Sequence, residues 1–296
     1  MTTGAVPTAP RRGVALSPPP HAYFVGSAIF HYLGPAFAVL LFVRVEPLGV
    51  AWFRIVSAAV ILGLWRRPWR ALAGADRSAQ RTVAGLAFVF ATMNVSFYVA
   101  IDRLPLATVA AIEFLPVIAL AAAGARTGRN AIALVLAVAG VFLLAHVELA
   151  GDPVGVGFAL ANAALFAMYI VLAHRLARSP SIGRLDGLAA AMLLAAIVVT
   201  VGAGRSAAPA IVDPVAIAAG IGVGVSSSVI PYVFDQLAMA RLSRATYSLM
   251  VALLPATATV IGILVLRQVP TPVEIAAVAL VVTAVAVHRE RAGAAA

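Results

Sequence analysis

Residues 97–119 read FYVAIDRLPLATVAAIEFLPVIA, and residues 235–258 read DQLAMARLSRATYSLMVALLPATA. The two stretches align at a constant offset, and a one-residue slip then brings Pro116 opposite Pro255. The identical pairs include Ala100 with Ala238, Arg103 with Arg241, Leu104 with Leu242 and Thr108 with Thr246. Chance similarity between two segments rich in alanine and leucine is the alternative, so an internal repeat needs support from the rest of the chain.

The composition is that of a chain whose solvent is lipid. Of 296 residues, 63% are hydrophobic and 11% are charged, and the mean hydropathy is +1.04. A soluble domain carries about 25% charged residues. We therefore predict an all-α integral membrane protein. The sequence has no cysteine, which excludes disulfides and thiolate metal sites. Its five histidines show no metal-ligand spacing, so we expect neither a metal nor a cofactor.

Ten apolar segments are long enough to cross a bilayer, for which a helix needs about 20 residues. We predict spans near residues 22–42, 47–65, 82–101, 105–125, 130–147, 154–174, 186–204, 214–237, 245–266 and 271–288. A Pro-rich tail, residues 1–21, precedes them and is predicted to be disordered. Residues 289–296 form a short C-terminal tail. The short connections leave no room for a soluble domain.

The arginines indicate which way the spans run. The chain has no lysine, and its 21 basic residues lie almost entirely between the apolar segments. Most are in the two tails and in the loops after spans 2, 4, 6 and 8. The other loops carry only Arg44, Arg103, Arg205 and Arg267. Because positive charge concentrates on the cytoplasmic side, both termini are predicted to be cytoplasmic. This placement also argues against a nucleic-acid partner, despite the net charge of +10.

The repeat divides the spans into two sets of five, residues 22–147 and residues 154–288. Five is an odd number, so the two halves must have opposite orientations in the membrane. Arg103 then falls outside and Arg241 inside, as inversion requires. Inverted repeats are typical of transporters, whose substrate site lies near the midplane between the halves.

Two charged residues lie within predicted spans of the first half, Arg54 and Glu113. A charge at the bilayer centre costs at least about 2.5–3.5 kcal/mol, so it persists where it pairs, lines water or takes part in function. At a rise of about 1.5 Å per residue, Arg54, Asn94 and Glu113 all lie roughly 10–12 Å below the outer face. We expect them to form one polar cluster, with Glu113 as a proton carrier. A purely structural Arg54–Glu113 pair is the alternative.

Prolines fall within four spans, at Pro35, Pro116, Pro231 and Pro255, and each removes a backbone donor from its helix. Pro231 follows Ser226-Ser227-Ser228 and is expected to free the Ser227 carbonyl, which neighbouring hydroxyls could satisfy. This segment is either a broken helix lining a cavity or a simple kink. Asp235, further on, either lines the cavity or lies at the interface and pairs with Arg241.

These features resemble the drug/metabolite transporter superfamily, in its ten-helix EamA branch, and within it bacterial threonine/homoserine exporters. The likeness rests on Arg54 and on four runs: M-N-V-S-F-Y (93–98), P-L-A-T-V-A-A-I-E-F-L-P (105–116), A-M-Y-I (167–170) and P-Y-V-F-D-Q-L-A-M-A-R-L (231–242). It implies helices around a central cavity lined by Arg54, Asn94, Tyr98, Glu113, Tyr169, Tyr232 and Asp235. Those exporters carry a glutamate before the proline of span 9, where this chain has Leu254, so the same substrate or ion coupling does not follow.

We therefore predict a secondary transporter in the bacterial plasma membrane that exports small amino acids or related polar metabolites, coupled to protons by alternating access. An uncoupled facilitator or channel is the alternative. The sequence has no nucleophile–histidine–acid set and no phosphate-binding loop, which argues against an enzyme. The expected partners are a small-molecule substrate and the lipid bilayer; a monomer and a homodimer are equally compatible with the sequence.

Overall fold

The computed structural model describes residues 18–124, 127–149, 152–242, 247, 250 and 253–287. Over these ranges the chain is helical and contains no β-strand. The helices are α1 (Pro20–Leu41), α2 (Pro47–Arg66), α3 (Pro68–Ala73), α4 (Arg77–Arg103), α5 (Leu106–Gly124), α6 (Gly128–Leu149), α7 (Pro153–Ala177), α8 (Arg184–Ala207), α9 (Pro214–Gly224), α10 (Ile230–Met239), α11 (Leu253–Leu266) and α12 (Pro272–Val287). A 3₁₀ turn (Ala208–Val212) follows α8, and a π-helical turn (Val225–Val229) joins α9 to α10.

The helices begin where the sequence supplies start signals. Proline occupies the first turn of several helices, where its missing N–H removes no hydrogen bond. Aspartates cap three of the helices. Asp76 accepts from the Ala79 N–H at 2.7 Å, and Asp152 and Asp213 do the same for α7 and α9.

Six stretches of the described chain are helical, long and apolar enough to cross a membrane. They are Pro20–Leu41, Pro47–Arg66, Arg77–Arg103, Pro153–Ala177, Arg184–Val212 and Pro214–Met239. Four shorter apolar helices are Leu106–Pro116, Ala131–Gly140, Thr257–Leu266 and Pro272–Ala284. Each predicted span overlaps a described helix, although most of residues 245–252 lie outside the described residues. The all-helical, multi-pass prediction is confirmed. The short helix α3 was not among the predicted elements.

Two of the four prolines do not break their helices. α1 runs through Pro35 and α5 through Pro116, each as one α-helix. Pro231 lies directly after the π-helical turn, at the start of α10. The segment around it is therefore a continuous helix with one widened turn, and the helix is not broken.

Close helix approaches surround this widened turn. A Cβ added to Gly34 of α1 would lie 2.6 Å from the Ser227 nitrogen and 2.7 Å from its Cα. A Cβ at Gly224 would overlap the Ser57 hydroxyl of α2. Glycine at these two positions lets α1 and α2 approach the backbone of the turn directly.

Ion pairs among the described residues lie at helix ends. They join Arg44 to Asp213 at 3.5 Å, Arg66 to Asp186 at 2.9 Å and Arg103 to Asp152 at 3.1 Å. The Gly155 N–H, with help from Arg103, holds the pKa of Asp152 below its usual value. None of these pairs includes the buried charged residues of the described chain, which are Arg54, Glu113, Asp235 and Glu274.

Candidate functional site

Arg54 of α2 is bound to the helix that carries the π-helical turn. Its Nε donates to the Ser228 hydroxyl at 2.8 Å, and its Nη2 donates to the Ser227 carbonyl at 2.8 Å and the Tyr232 hydroxyl at 3.3 Å. The side chain is buried, with 4% of the residue exposed. The Ser227 carbonyl, which Pro231 is expected to leave without a helical donor, thus accepts a hydrogen bond from an arginine of another helix.

Aromatic rings surround the rest of the guanidinium. Its Cζ lies 5.5 Å from the ring centre of Tyr98, 5.9 Å from that of Phe97 and 6.0 Å from that of Tyr232. Cation–π attraction of this kind contributes about 0.5–2 kcal/mol per ring, with the larger values where water is excluded. Hydrogen bonds and rings together hold the positive charge without a carboxylate within ion-pair distance among the described residues.

Glu113 of α5 is held by neutral donors. The Tyr32 hydroxyl donates to its Oε2 at 3.1 Å, and the Asn162 amide donates to its Oε1 at 2.9 Å. Glu113 is 3% exposed, and no arginine of the described chain forms an ion pair with it. The direct Arg54–Glu113 pair considered from the sequence is not formed in this structure.

One cavity is nevertheless lined by Arg54, Asn94 and Glu113, the three residues that the sequence predicts at a common depth in the membrane. The other lining residues are His31, Met93, Phe97, Asn162 and Tyr232. The free space measures about 10 Å³, which is close to the least that one water molecule occupies. The structure is therefore closed around its buried charges, and a larger ligand requires the helices to part.

Two asparagines that line the cavity each have a side-chain oxygen with no hydrogen-bond donor among the described residues. Asn94 uses its Nδ2 to donate to the Ala51 carbonyl at 2.8 Å, which leaves its Oδ1 without a donor. Asn162 uses its Nδ2 on Glu113, and its Oδ1 is likewise unpartnered. Buried acceptors without donors are uncommon in folded proteins and call for an explanation.

A second buried carboxylate, Asp235 of α10, lies outside this cavity. It is 2% exposed, accepts from the Ser27 hydroxyl at 2.5 Å and accepts from the Tyr169 hydroxyl at 2.6 Å. Asp235 therefore lies inside the protein. Arg241, its possible partner from the sequence, is exposed, donates to the Pro18 carbonyl at 3.2 Å and contacts the Tyr23 ring.

Aromatic side chains separate the cavity from Asp235. Phe166 and Tyr232 contact His31, which lines the cavity, with ring centres 5.9 and 6.0 Å away. The same two rings contact Tyr169, the donor to Asp235, at 5.7 and 5.4 Å. Phe90 packs on Tyr232 at 4.7 Å and extends this aromatic layer.

The two carboxylates share two supporting helices. Each accepts one hydrogen bond from α1 and one from α7: Glu113 from Tyr32 and Asn162, Asp235 from Ser27 and Tyr169. Asp235 also accepts a hydrogen bond from Tyr247. The spacing of the donors along each helix puts the two levels about 7–11 Å apart. α1 and α7 thus bridge both carboxylates at two separate depths.

Residues 153–288 match the model of the EamA-like transporter family. This half of the chain is an EamA domain. Over 85% of its length the chain is 28% identical to the threonine/homoserine exporter RhtA of Escherichia coli (strain K12), covering 84% of that protein. It is 29% identical to RhtA of Salmonella typhimurium (strain LT2), with the same coverage. A solved crystal structure with 19% sequence identity has a TM-score of 0.59, covering 90% of this chain and 96% of that one, and indicates the fold alone.

The residues singled out from the sequence fall into two groups. Those at or beside the cavity are Arg54, Asn94, Tyr98, Glu113 and Tyr232. Tyr169 and Asp235 form the second cluster, on the other side of the aromatic layer. Pro255 lies in the described first turn of α11.

Sequence reasoning does not single out several residues of the site, among them Ser27, His31, Tyr32 and Asn162. The sequence gives His31 no ligand spacing, yet it lines the cavity. Asn162 carried a usable signal, since an amide within an apolar span is as unusual as Asn94. Ser27 and Tyr32 are ordinary in membrane helices and become recognisable only through the carboxylates that they contact.

Proposed function

We propose that this chain exports small amino acids of the threonine/homoserine kind, or related polar metabolites, across the bacterial plasma membrane. The observation that carries the proposal is a cavity lined by both buried Arg54 and buried Glu113, which form no ion pair with each other. Opposite charges held apart in a closed site fit a ligand that carries both. The names of the RhtA relatives agree with that chemistry.

The proposed architecture is ten membrane spans in two inverted halves, residues 22–147 and 154–288, with both termini cytoplasmic. The packing supports it, because each of the following helix contacts is matched by a contact between the equivalent helices of the other half. α2 packs on α8 and α6 on α12, which are equivalent helices of the two halves. α4 packs on α7 as α10 packs on α1, and α5 packs on α7 as α11 packs on α1.

Transport proceeds by rocking of the two halves around the cavity, with Arg54 holding the substrate carboxylate. Glu113 carries a proton when no cation neutralises it, because a bare carboxylate inside the bilayer is costly. Substrate on its way out displaces that proton, and a proton from outside returns to Glu113 for the inward movement. One proton then enters for each substrate that leaves.

The test is the Glu113→Gln variant, measured in proteoliposomes with an imposed pH gradient. Glutamine keeps an oxygen for Tyr32 and Asn162 but cannot release a proton, so the variant should fold and lose pH-driven accumulation. Glu274→Gln is the matched control, since Glu274 is a buried carboxylate that binds Thr108 and the Thr271 N–H away from the cavity.

Three results would change the proposal. Unchanged coupling in Glu113→Gln eliminates the proton role of that residue. Equal loss in Glu274→Gln indicates that any buried carboxylate is needed for folding. Flux through the wild-type protein without accumulation against a gradient identifies a facilitator in place of a coupled exporter.

A further inference from the structure

Eight arginines lie at one end of the helix bundle, where α2 and α7 end and where α4 and α8 begin. They belong to residues 66–82 and 174–186, which contain two acidic residues and are together termed the arginine face. A hydrogen bond from Arg66 to Asp186, at 2.9 Å, joins the two segments. In addition, α3 of the first segment packs on α8, which begins in the second. The fold therefore gathers a surplus of positive charge on one surface.

Most of this charge is not neutralised by the protein itself. Arg66 and Asp186 form an ion pair, and the other seven arginines of the arginine face form none among the described residues. The second acidic residue, Asp76, caps α4 and accepts a hydrogen bond from the Ala79 N–H at 2.7 Å. Because clustered charge of one sign attracts partners of the opposite sign, we expect an anionic partner at this surface.

A cavity of about 410 Å³ lies in the arginine face, between the start of α4 and the end of α7. Sites for small molecules measure about 300–1,000 Å³. The cavity is lined by two arginines and three hydroxyl-bearing residues, which are Arg175, Arg178, Ser78, Thr82 and Ser179. Arg175 forms no hydrogen bond or ion pair within the described chain, and Arg178 makes one hydrogen bond, to a backbone carbonyl at 3.1 Å. Both guanidinium groups therefore keep N–H donors for a ligand.

A phosphate group suits this lining. Its oxygens accept hydrogen bonds, and a guanidinium group binds two of them through parallel N–H donors. The lining also contains Asp76, whose carboxylate is outnumbered by the two guanidinium groups and already serves as the cap of α4. A cationic ligand would meet two arginines, and an uncharged ligand would leave their charge without a partner.

We propose that this cavity binds the phosphate of an anionic phospholipid, with Arg175 and Arg178 as the groups that hold it. The depth of the arginine face favours a lipid over a soluble phosphate ester. Trp65 and Trp69 are 57% and 53% exposed at this end, and tryptophan is enriched where a membrane meets water. The Arg66 guanidinium lies 5.5 Å from the Trp65 ring centre, so the arginines begin at headgroup level, where basic clusters attract anionic lipids. The site does not depend on what the protein transports.

The first measurement is native mass spectrometry of the purified full-length chain in detergent, titrated with dioleoyl phosphatidylglycerol or dioleoyl phosphatidylcholine. Both lipids have the same acyl chains and a phosphate, but the choline of the second cancels its charge. The wild type should bind phosphatidylglycerol on the order of tenfold more tightly, or more, since one charge-assisted hydrogen bond is worth about that factor. Arg175→Gln/Arg178→Gln should lose this preference. Equal binding of the two lipids by the wild type overturns the proposal.

The opposite end of the bundle supplies the matched control, Arg44→Gln/Arg205→Gln. These two arginines line a cavity of similar size, about 390 Å³, together with Glu46. Their charge is balanced there, because Asp213 pairs with Arg44 at 3.5 Å and Glu46 carries a second negative charge. The control should keep the wild-type preference for phosphatidylglycerol. Equal loss in the two double variants, or no loss in the first, overturns the cavity between α4 and α7 as the binding site.

Competition distinguishes a lipid from a soluble phosphate ester. An excess of sn-glycerol 3-phosphate, which has the phosphoglycerol group without acyl chains, should leave phosphatidylglycerol bound. Displacement at equal concentration shows that the cavity takes soluble phosphate esters and overturns the assignment to a lipid. Thermal midpoints without lipid show whether each variant is folded. If the double variant does not fold, Arg175→Gln alone decides, since Arg175 makes no hydrogen bond within the described chain. None of these measurements involves transport, so their outcome is separate from that of the export proposal.

Discussion

The Nη2 atom of Arg54 donates a 2.8 Å hydrogen bond to the backbone carbonyl of Ser227, inside the π-helical turn of another helix. An arginine in this position does two things. It satisfies a carbonyl in a widened turn that Pro231 follows, and it holds a positive charge at the edge of the cavity. The geometry of the turn and the charge of the site therefore depend on one side chain.

Replacement of this arginine should separate charge from geometry. In Arg54→Lys the charge remains, but a single ammonium group cannot reach all three acceptors of the guanidinium. We expect a loss of about 1–3 kcal/mol in stability, seen as a lower thermal midpoint, and a severe loss of export. Arg44→Lys is the control, because the Arg44 side chain is 59% exposed in its ion pair and such pairs contribute about 0–1 kcal/mol. A wild-type midpoint for Arg54→Lys would contradict this account.

The approach of α1 to the π-helical turn can be tested by one methyl group. In Gly34→Ala the new Cβ would lie 2.6 Å from the Ser227 nitrogen, so the two helices must separate. Overpacking of this kind costs about 1–3 kcal/mol and should displace Ser227 from Arg54. Gly222→Ala is the control, because Gly222 lies in α9, just before the π-helical turn, and its new Cβ would contact nothing within 4 Å. Gly34→Ala should lower both the transport rate and the thermal unfolding midpoint relative to Gly222→Ala. Equal values for the two variants would contradict the close contact.

The Ser27–Asp235 hydrogen bond joins α1 to α10 and suits a double-mutant cycle. Ser27→Ala, Asp235→Asn and the double variant should show a coupling of about 0.5–3 kcal/mol in thermal unfolding, because the two groups contact each other directly. The Ser179–Ser181 contact in the loop after α7 offers a comparison in which the coupling should be near zero. Additive effects of Ser27→Ala and Asp235→Asn would show that the bond contributes nothing.

The proposed orientation can be read with single cysteines, since the natural chain contains none. Ala208→Cys and Ser78→Cys are both exposed positions, the first beyond α8 and the second at the start of α4. A membrane-impermeant thiol reagent added to intact cells should label Ala208→Cys and spare Ser78→Cys until the membrane is opened. Labelling of Ser78→Cys with protection of Ala208→Cys in intact cells would show that the topology is opposite to the one proposed.

The helices were predictable because lipid imposes a simple rule on sequence. Every predicted span overlaps a helix of the described residues, since each is an apolar run bounded by arginine, proline or glycine. The convergence of Arg54, Asn94 and Glu113 was predictable for the same reason: depth follows from counting residues along helices that cross the same slab. The cavity indeed contains all three.

The partners of those residues were not predictable, because depth says nothing about rotation. Arg54 and Glu113 share a level but face different neighbours, and the guanidinium turns toward α10 and the π-helical turn. Which donors reach Glu113 depends on how α1 and α7 rotate about their axes. That rotation is set by packing of small residues such as Gly34, which carry no signal of their own in an alanine-rich chain.

The hydrogen bonds of α1 and α7 to two carboxylates at separate depths have a consequence for the membrane as an insulator. In the proposed alternating-access cycle, we expect a movement that opens one depth to break the hydrogen bonds of one carboxylate and to leave those of the other in place. The aromatic layer of Phe90, Phe166 and Tyr232 lies between the two depths in this structure. Ions would then not meet an uninterrupted aqueous path, and the cell would keep its electrical potential while solutes cross.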